Sequence, residues 1–187
     1  MATDTHALLL IDFQTAFDDP GHGPRNNPDA ETNARSLLEA WRRAGRTVIH
    51  IQHSSTEPDS PLRPEHPGHA FKAGFEPAAE ELRLIKTVNS AFIGTELSAE
   101  LNRLGHHRLL IAGLTTDHCV STTTRMAANL GFQVTLVADA CATFDRPDPS
   151  APHTTIDAET VHQVNLASLE GEFCRLTTAR AQLTQPG

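Results

Sequence analysis

The chain has 187 residues, of which 39% are hydrophobic and 20% charged, and a formal net charge of −8. That length suits one compact domain over residues 1–187, and the composition is that of an ordinary globular protein. A surface this acidic, with no basic cluster, argues against nucleic acid or anionic membrane as a partner.

The opening segment MATDTHALLLIDFQTAF holds an apolar run, but no basic residue precedes it and Asp12 interrupts it. A signal peptide needs a basic start and a longer apolar stretch, and a membrane span needs about 20 apolar residues. Neither is expected. Ala7 to Ile11 is apolar on both faces, as a central parallel strand should be. A helix over Pro28 to Ala44 follows, with Asn27 as N-cap and Gly45 as its stop. Its inward face would carry Leu37, Leu38, Trp41 and Ala44.

Thr47 to Gln52 reads as the second strand. Prolines at 58, 61, 64, 67 and 77 then predict a long ordered loop from 54 to 81. Leu82 to Lys86 is a short third strand, and Thr95 to Leu104 a helix with Leu97, Leu101 and Leu104 inward. Arg108 to Gly113 is a fourth strand, Asp117 to Leu130 a helix, and Gln133 to Ala138 a fifth strand. A polar loop over 143 to 155 leads to a helix over Asp157 to Glu170. Glu172 to Thr177 makes a sixth strand, with a short terminal helix after it. Strands alternating with helices predict a three-layer αβα fold around a six-stranded parallel sheet.

Ligands in such folds bind beyond the C-terminal ends of the strands. Three chemically capable residues fall there: Asp12 after the first strand, Lys86 at the end of the third, and Cys119 shortly after the fourth. A carboxylate ending an apolar strand must be solvated, hydrogen-bonded or paired. It reads as a general base or as a cap on a nearby turn. A thiol near a helix N-terminus is drawn towards thiolate, although a small buried core residue is the other reading of Cys119. Lys86 is either a surface lysine or an ammonium that lowers the thiol pKa and holds Asp12 ionised. Cys141 and Cys174 lie in or beside strands and read as structural. Three cysteines without Cys-x-x-Cys spacing predict free thiols in a reducing cytoplasm.

The segments LLLIDFQTAF, LIKTVNSAF, AGLTTDHCV and DACATFDR, with the late ETVHQVNLASL helix, closely resemble the isochorismatase-like hydrolase superfamily. That group includes nicotinamidases, N-carbamoylsarcosine amidohydrolase and isochorismatases. The resemblance runs through most of the chain and implies a six-stranded parallel sheet. It assigns Asp12 as base, Lys86 as electrostatic helper and Cys119 as nucleophile. It also implies a cis peptide at Leu114–Thr115, with the N–H groups of Thr115 and Cys119 forming an oxyanion hole. Phe17, His53, Asn89, Phe92, His118 and Phe144 are the expected substrate contacts. A homo-oligomer, dimer or tetramer, is implied by the resemblance alone.

Nicotinamidases carry a metal-binding Asp-x-His pair after the second strand. Here His53 and Ser55 stand at those positions, so no metal or cofactor is expected and nicotinamide is disfavoured as substrate. His50 and His53 are three apart on a strand and face opposite ways. His66 and His69 lie in the proline-rich loop. The presence of Cys119 tilts the reading towards cleavage of an amide or carbamoyl C–N bond through a thioester. A vinyl ether hydrolase of the isochorismatase type, indifferent to loss of Cys119, is the first alternative. A non-catalytic ligand-binding member, with an unreactive Cys119, is the second.

Overall fold

The computed structural model describes residues 6–184. Strand β1 (Ala7–Ile11) is buried along its whole length. Its alternate side chains enter two separate cores, as the two-residue period of a strand requires. Leu8 and Leu10 pack on one face with Leu37, Leu38 and Trp41 of helix α1 (Ala30–Arg43). Leu9 and Ile11 pack on the other face. There they meet α2 (Leu97–Leu104), α3 (Ser121–Asn129) and α4 (Ala158–Leu169). Each such leucine contributes about 1.5–3 kcal/mol on burial.

Strands β2 (Val48–His53) and β3 (Leu82–Lys86) lie on one side of β1, and β4 (Arg108–Leu114) and β5 (Gln133–Ala142) on the other. A two-stranded antiparallel pair, β6 (Arg146–Pro147) with β7 (Thr155–Ile156), stands apart from this sheet. Strand β8 (Arg175–Thr177) completes the order β3-β2-β1-β4-β5-β8, all parallel, and α5 (Ala179–Thr184) follows. The fold is the expected three-layer αβα arrangement. Chain order reverses at β1, so the crevice beyond β1 and β4 is the place for a ligand.

Gly113 lets β1 and β4 approach closely there. A Cβ on it would lie 2.5 Å from the Ile11 carbonyl oxygen. The long loop after β2 packs back along the segment after β1: Thr15 N–H donates to Ala70 O, and Lys72 N–H to Phe13 O.

Several boundaries differ from expectation. Helix α1 begins at Ala30 with Asp29 at its N-cap, so Asn27 does not cap it. Asn27 has φ 43°. Its amide instead donates to Ala138 O (3.1 Å) and Cys141 O (2.7 Å). Ala44 falls just past α1 and is exposed, and Leu104 is also exposed, because each sits where its helix ends. Strand β5 continues to Ala142 because Asp139 turns its carboxylate to the Ala179 N–H at the start of α5. The polar loop after it contains the β6–β7 pair. Strand β8 is shorter than the predicted span because a turn closed by Gly171 N–H to Cys174 O comes first. The predicted helix over 117 to 130 is divided: one π-type turn (Thr116–Val120) precedes α3.

Candidate active site

Asp12 is the first residue beyond β1 and has φ 53°, a left-handed conformation that is strained for a residue with a side chain. Lys86 closes β3, and Cys119 lies inside the π-type turn after β4. Insertions of this type are frequent at functional sites. The peptide bond between Leu114 and Thr115, at the entrance to that turn, is cis.

The three side chains meet. Lys86 Nζ donates to Asp12 Oδ2 at 2.7 Å and to Cys119 Sγ at 3.2 Å. Asp12 and Lys86 are fully buried, and Asp12 Oδ1 has no hydrogen-bond partner among the described residues. An unpartnered buried carboxylate oxygen is costly and is free to accept a hydrogen bond or a proton. The Cys119 thiol points to Asn89 Oδ1 at 3.7 Å.

The expected thiolate is not what this environment favours. Burial pushes the Cys119 thiol well above its ordinary range, and the Asp12 carboxylate pushes the same way. Lys86 opposes both without overcoming them. The π-type turn also leaves Cys119 within the turn rather than at the open end of a helix. The resting group is therefore a thiol beside a base. Cys141 and Cys174 are buried too, each pushed up to about 12 chiefly by burial. They face no such partner set.

A cavity of about 260 Å³ opens over Cys119. Phe17, His53, Asn89, Thr115, His118 and Phe144 line it, together with His22, Leu62 and Arg146. Phe92 does not: its ring stacks on Phe132 at 5.6 Å within the core. A run of turns carries Phe92, so the direction of its ring does not follow from strand or helix spacing. Phe17, His22 and Phe144 form one wall, with His22 and Phe144 4.9 Å apart.

Sequence spacing does not point to His22, Leu62 or Arg146, because each lies in the connections outside the main sheet and the long helices. Arg146 closes DACATFDR, and a cation after an aromatic in that segment was the available signal. Its guanidinium clamps Asp117 through Nε to Oδ2 (2.6 Å) and Nη2 to Oδ1 (3.1 Å). Thr143 adds a hydrogen bond to Oδ1 at 2.6 Å. Burial alone would raise the Asp117 carboxyl, but these bonds hold it at about 2. The clamp fixes the segment bearing Phe144 to the turn bearing Cys119.

Asp12, His53 and Cys119 place one ligand atom each within 4.8 Å of one another, the one such set among the described residues. Each of the three residues has an atom within hydrogen-bond distance of Lys86 Nζ, so an ammonium borders the cluster. His50 instead bonds Glu81 at 2.8 Å, and His69 bonds Ser54 at 2.7 Å. His66 accepts from Gly68 N–H. No helix among the described residues is long and apolar enough to cross a membrane.

Residues 6–181 match the isochorismatase domain. The chain is 48% identical to the isochorismatase family protein YrdC of Bacillus subtilis, over 92% of this chain and 91% of that one. A Chromobacterium violaceum crystal structure of an isochorismatase family protein superposes with TM-score 0.92 at 48% identity, covering 98% and 94% of the two chains. Maleamate amidohydrolase of Pseudomonas putida is 26% identical over 96% of this chain and 85% of its own length.

Proposed function

This chain belongs to the isochorismatase family, and from that premise we propose that it hydrolyses a C–N bond of a small amide or carbamoyl compound with Cys119 as nucleophile. One observation carries the reading: Lys86 Nζ is within hydrogen-bond reach of both Asp12 Oδ2 and Cys119 Sγ, and Cys119 lines a cavity. The likeness to an amidohydrolase supports the choice of bond.

Asp12 takes the proton from Sγ as the thiolate attacks the carbonyl carbon, so base and nucleophile act in one step. The need for a base follows from the raised thiol pKa. The N–H groups of Thr115 and Cys119 receive the oxyanion. The C–N bond then breaks, and Asp12 returns its proton to the departing nitrogen. Water, deprotonated by Asp12, attacks the resulting thioester, and the C–S bond breaks to release the acid and restore the thiol. The Lys86 ammonium balances the negative charge that passes between Asp12 and Sγ.

Phe17 and Phe144 would flank the acyl group, and His53, Asn89 and His118 would contact its polar atoms. A cavity of about 260 Å³ limits the substrate to a small molecule. The whole chain would act as one hydrolase domain, in the cytoplasm, as a homo-dimer or tetramer without nucleic-acid or membrane partners.

The test is a panel of primary amides, carbamoyl amines and lactams, scored for ammonia or amine release beside Cys119→Ala. Release by wild type and its loss in the variant are expected. Undiminished turnover in Cys119→Ala would contradict the reading. Cleavage of an enol ether by both proteins would point to acid catalysis by Asp12 instead.

A further inference from the structure

An ammonium has three N–H bonds, and Lys86 finds three acceptors. Two are Asp12 and Cys119. The third is His53 Nδ1, at 2.8 Å. An imidazole nitrogen accepts only with a free lone pair, so the ring must be neutral with its proton on Nε2. The backbone holds the ring in place. Gln14 is fully buried, takes the His53 N–H on Oε1 at 2.8 Å, and donates from Nε2 to the His53 carbonyl at 3.0 Å.

We propose that His53 is a positioning residue: as third acceptor of Lys86 it aims the ammonium at Asp12 and Cys119, and it can do so only as the neutral Nε2–H tautomer. This rests on the reading that those three side chains carry the chemistry. Protonation of Nδ1 would replace the acceptor by a donor and set two cations against each other at hydrogen-bond distance. Lys86 then loses one of the three contacts that fix its direction, and the reaction slows on the acid side.

The groups around the ring are Lys86 from β3, Asp12 beyond β1, Cys119 from the π-type turn and His69 from the long loop. His22, His118 and Arg146 line the same cavity. Burial and the Lys86 charge keep His53 below the usual imidazole range, with Asp12 opposing them. The ring is thus neutral at neutral pH, and the contact with Lys86 Nζ selects the tautomer with Nδ1 as acceptor.

The direct test needs no substrate. Two-bond 1H–15N correlation spectra of the labelled protein would report the His53 tautomer, with the signal assigned by its loss in H53N. At pH 7 a ring protonated on Nε2 alone is expected. A proton on Nδ1, in either the neutral or the charged ring, would overturn the proposal.

Kinetics supply the second arm, with maleamate and benzamide as probes. Asparagine places its Oδ1 near the position of histidine Nδ1 and cannot titrate. H53N also alters a substrate contact, so the reading is the difference between variants. H53N should have its acid limb moved to lower pH and keep at least about tenfold more kcat than H53L, which should lose about 10- to 100-fold. An unshifted limb in H53N, or wild-type kcat in H53L, would overturn it. An active Cys119→Ala would sink the underlying reading; an inactive one beside a wild-type-like H53L would sink this inference alone.

Discussion

Lys86 Nζ donates to Asp12 Oδ2 at 2.7 Å with both side chains wholly removed from solvent. A buried pair of this kind offsets its own desolvation but penalises the loss of either member, because the survivor is left charged in an apolar setting. Lys86→Met should therefore lower stability by about 3–5 kcal/mol. Asp12→Asn combined with Lys86→Met should cost less than the two single changes added together. Urea unfolding of the four proteins measures the coupling, and strict additivity would show that the pair is not linked.

Gly113 is fixed by space rather than by flexibility. A methyl group there would meet Ile11 O at 2.5 Å and Ile11 Cβ at 2.6 Å, both in the central strand. Gly113→Ala should destabilise the fold by about 1–3 kcal/mol and lower turnover by displacing Asp12 relative to Cys119. A variant with unchanged unfolding midpoint and kcat would contradict this account of the close approach.

Asp117 predicts acid lability. Its carboxyl is held at about 2 against an ordinary 3.8, chiefly by Arg146 and Thr143 working against burial. A lowered folded-state value adds stability above the unfolded value and loses it as pH falls through the folded one. The contribution, about 2 kcal/mol, is complete above pH about 4 and disappears towards pH about 2. In urea titrations from pH 5 to 2, Asp117→Asn should show a correspondingly shallower loss. Equal slopes would rule the clamp out as a source of acid sensitivity.

Arg146→Ala should loosen the segment bearing Phe144 from the Cys119 turn, since the Nε and Nη2 contacts to Asp117 are lost together and only the Thr143 bond to Asp117 remains. A rise in KM of about 10-fold is expected with a smaller change in kcat, as for a wall that binds rather than reacts. Equal losses in kcat and kcat/KM would instead assign Arg146 to the transition state.

The sheet was legible because its strands are short apolar runs with helical periods between them, and β1 shows this most clearly. Asp12, Lys86 and Cys119 were legible as polar interruptions at one end of that sheet. Other features depend on through-space partners. Asp139 looks like the end of β5 until its contact with α5 is known, and Asn27 looks like a cap until its amide is traced to β5. Phe92 and Phe144 are equivalent in sequence, yet one packs on Phe132 and the other faces the cavity. The protonation of Cys119 reverses the helix-end expectation because burial and Asp12 outweigh Lys86, a balance set by packing.

Intact-mass analysis of acid-quenched reaction mixtures, with peptide mapping, tests the covalent step most directly. During turnover of an amide, the account predicts a transient increase equal to the acyl group, carried by Cys119 and absent from Cys141 and Cys174. Steady turnover with an unmodified thiol at 119, undiminished when that residue is alanine, would contradict it.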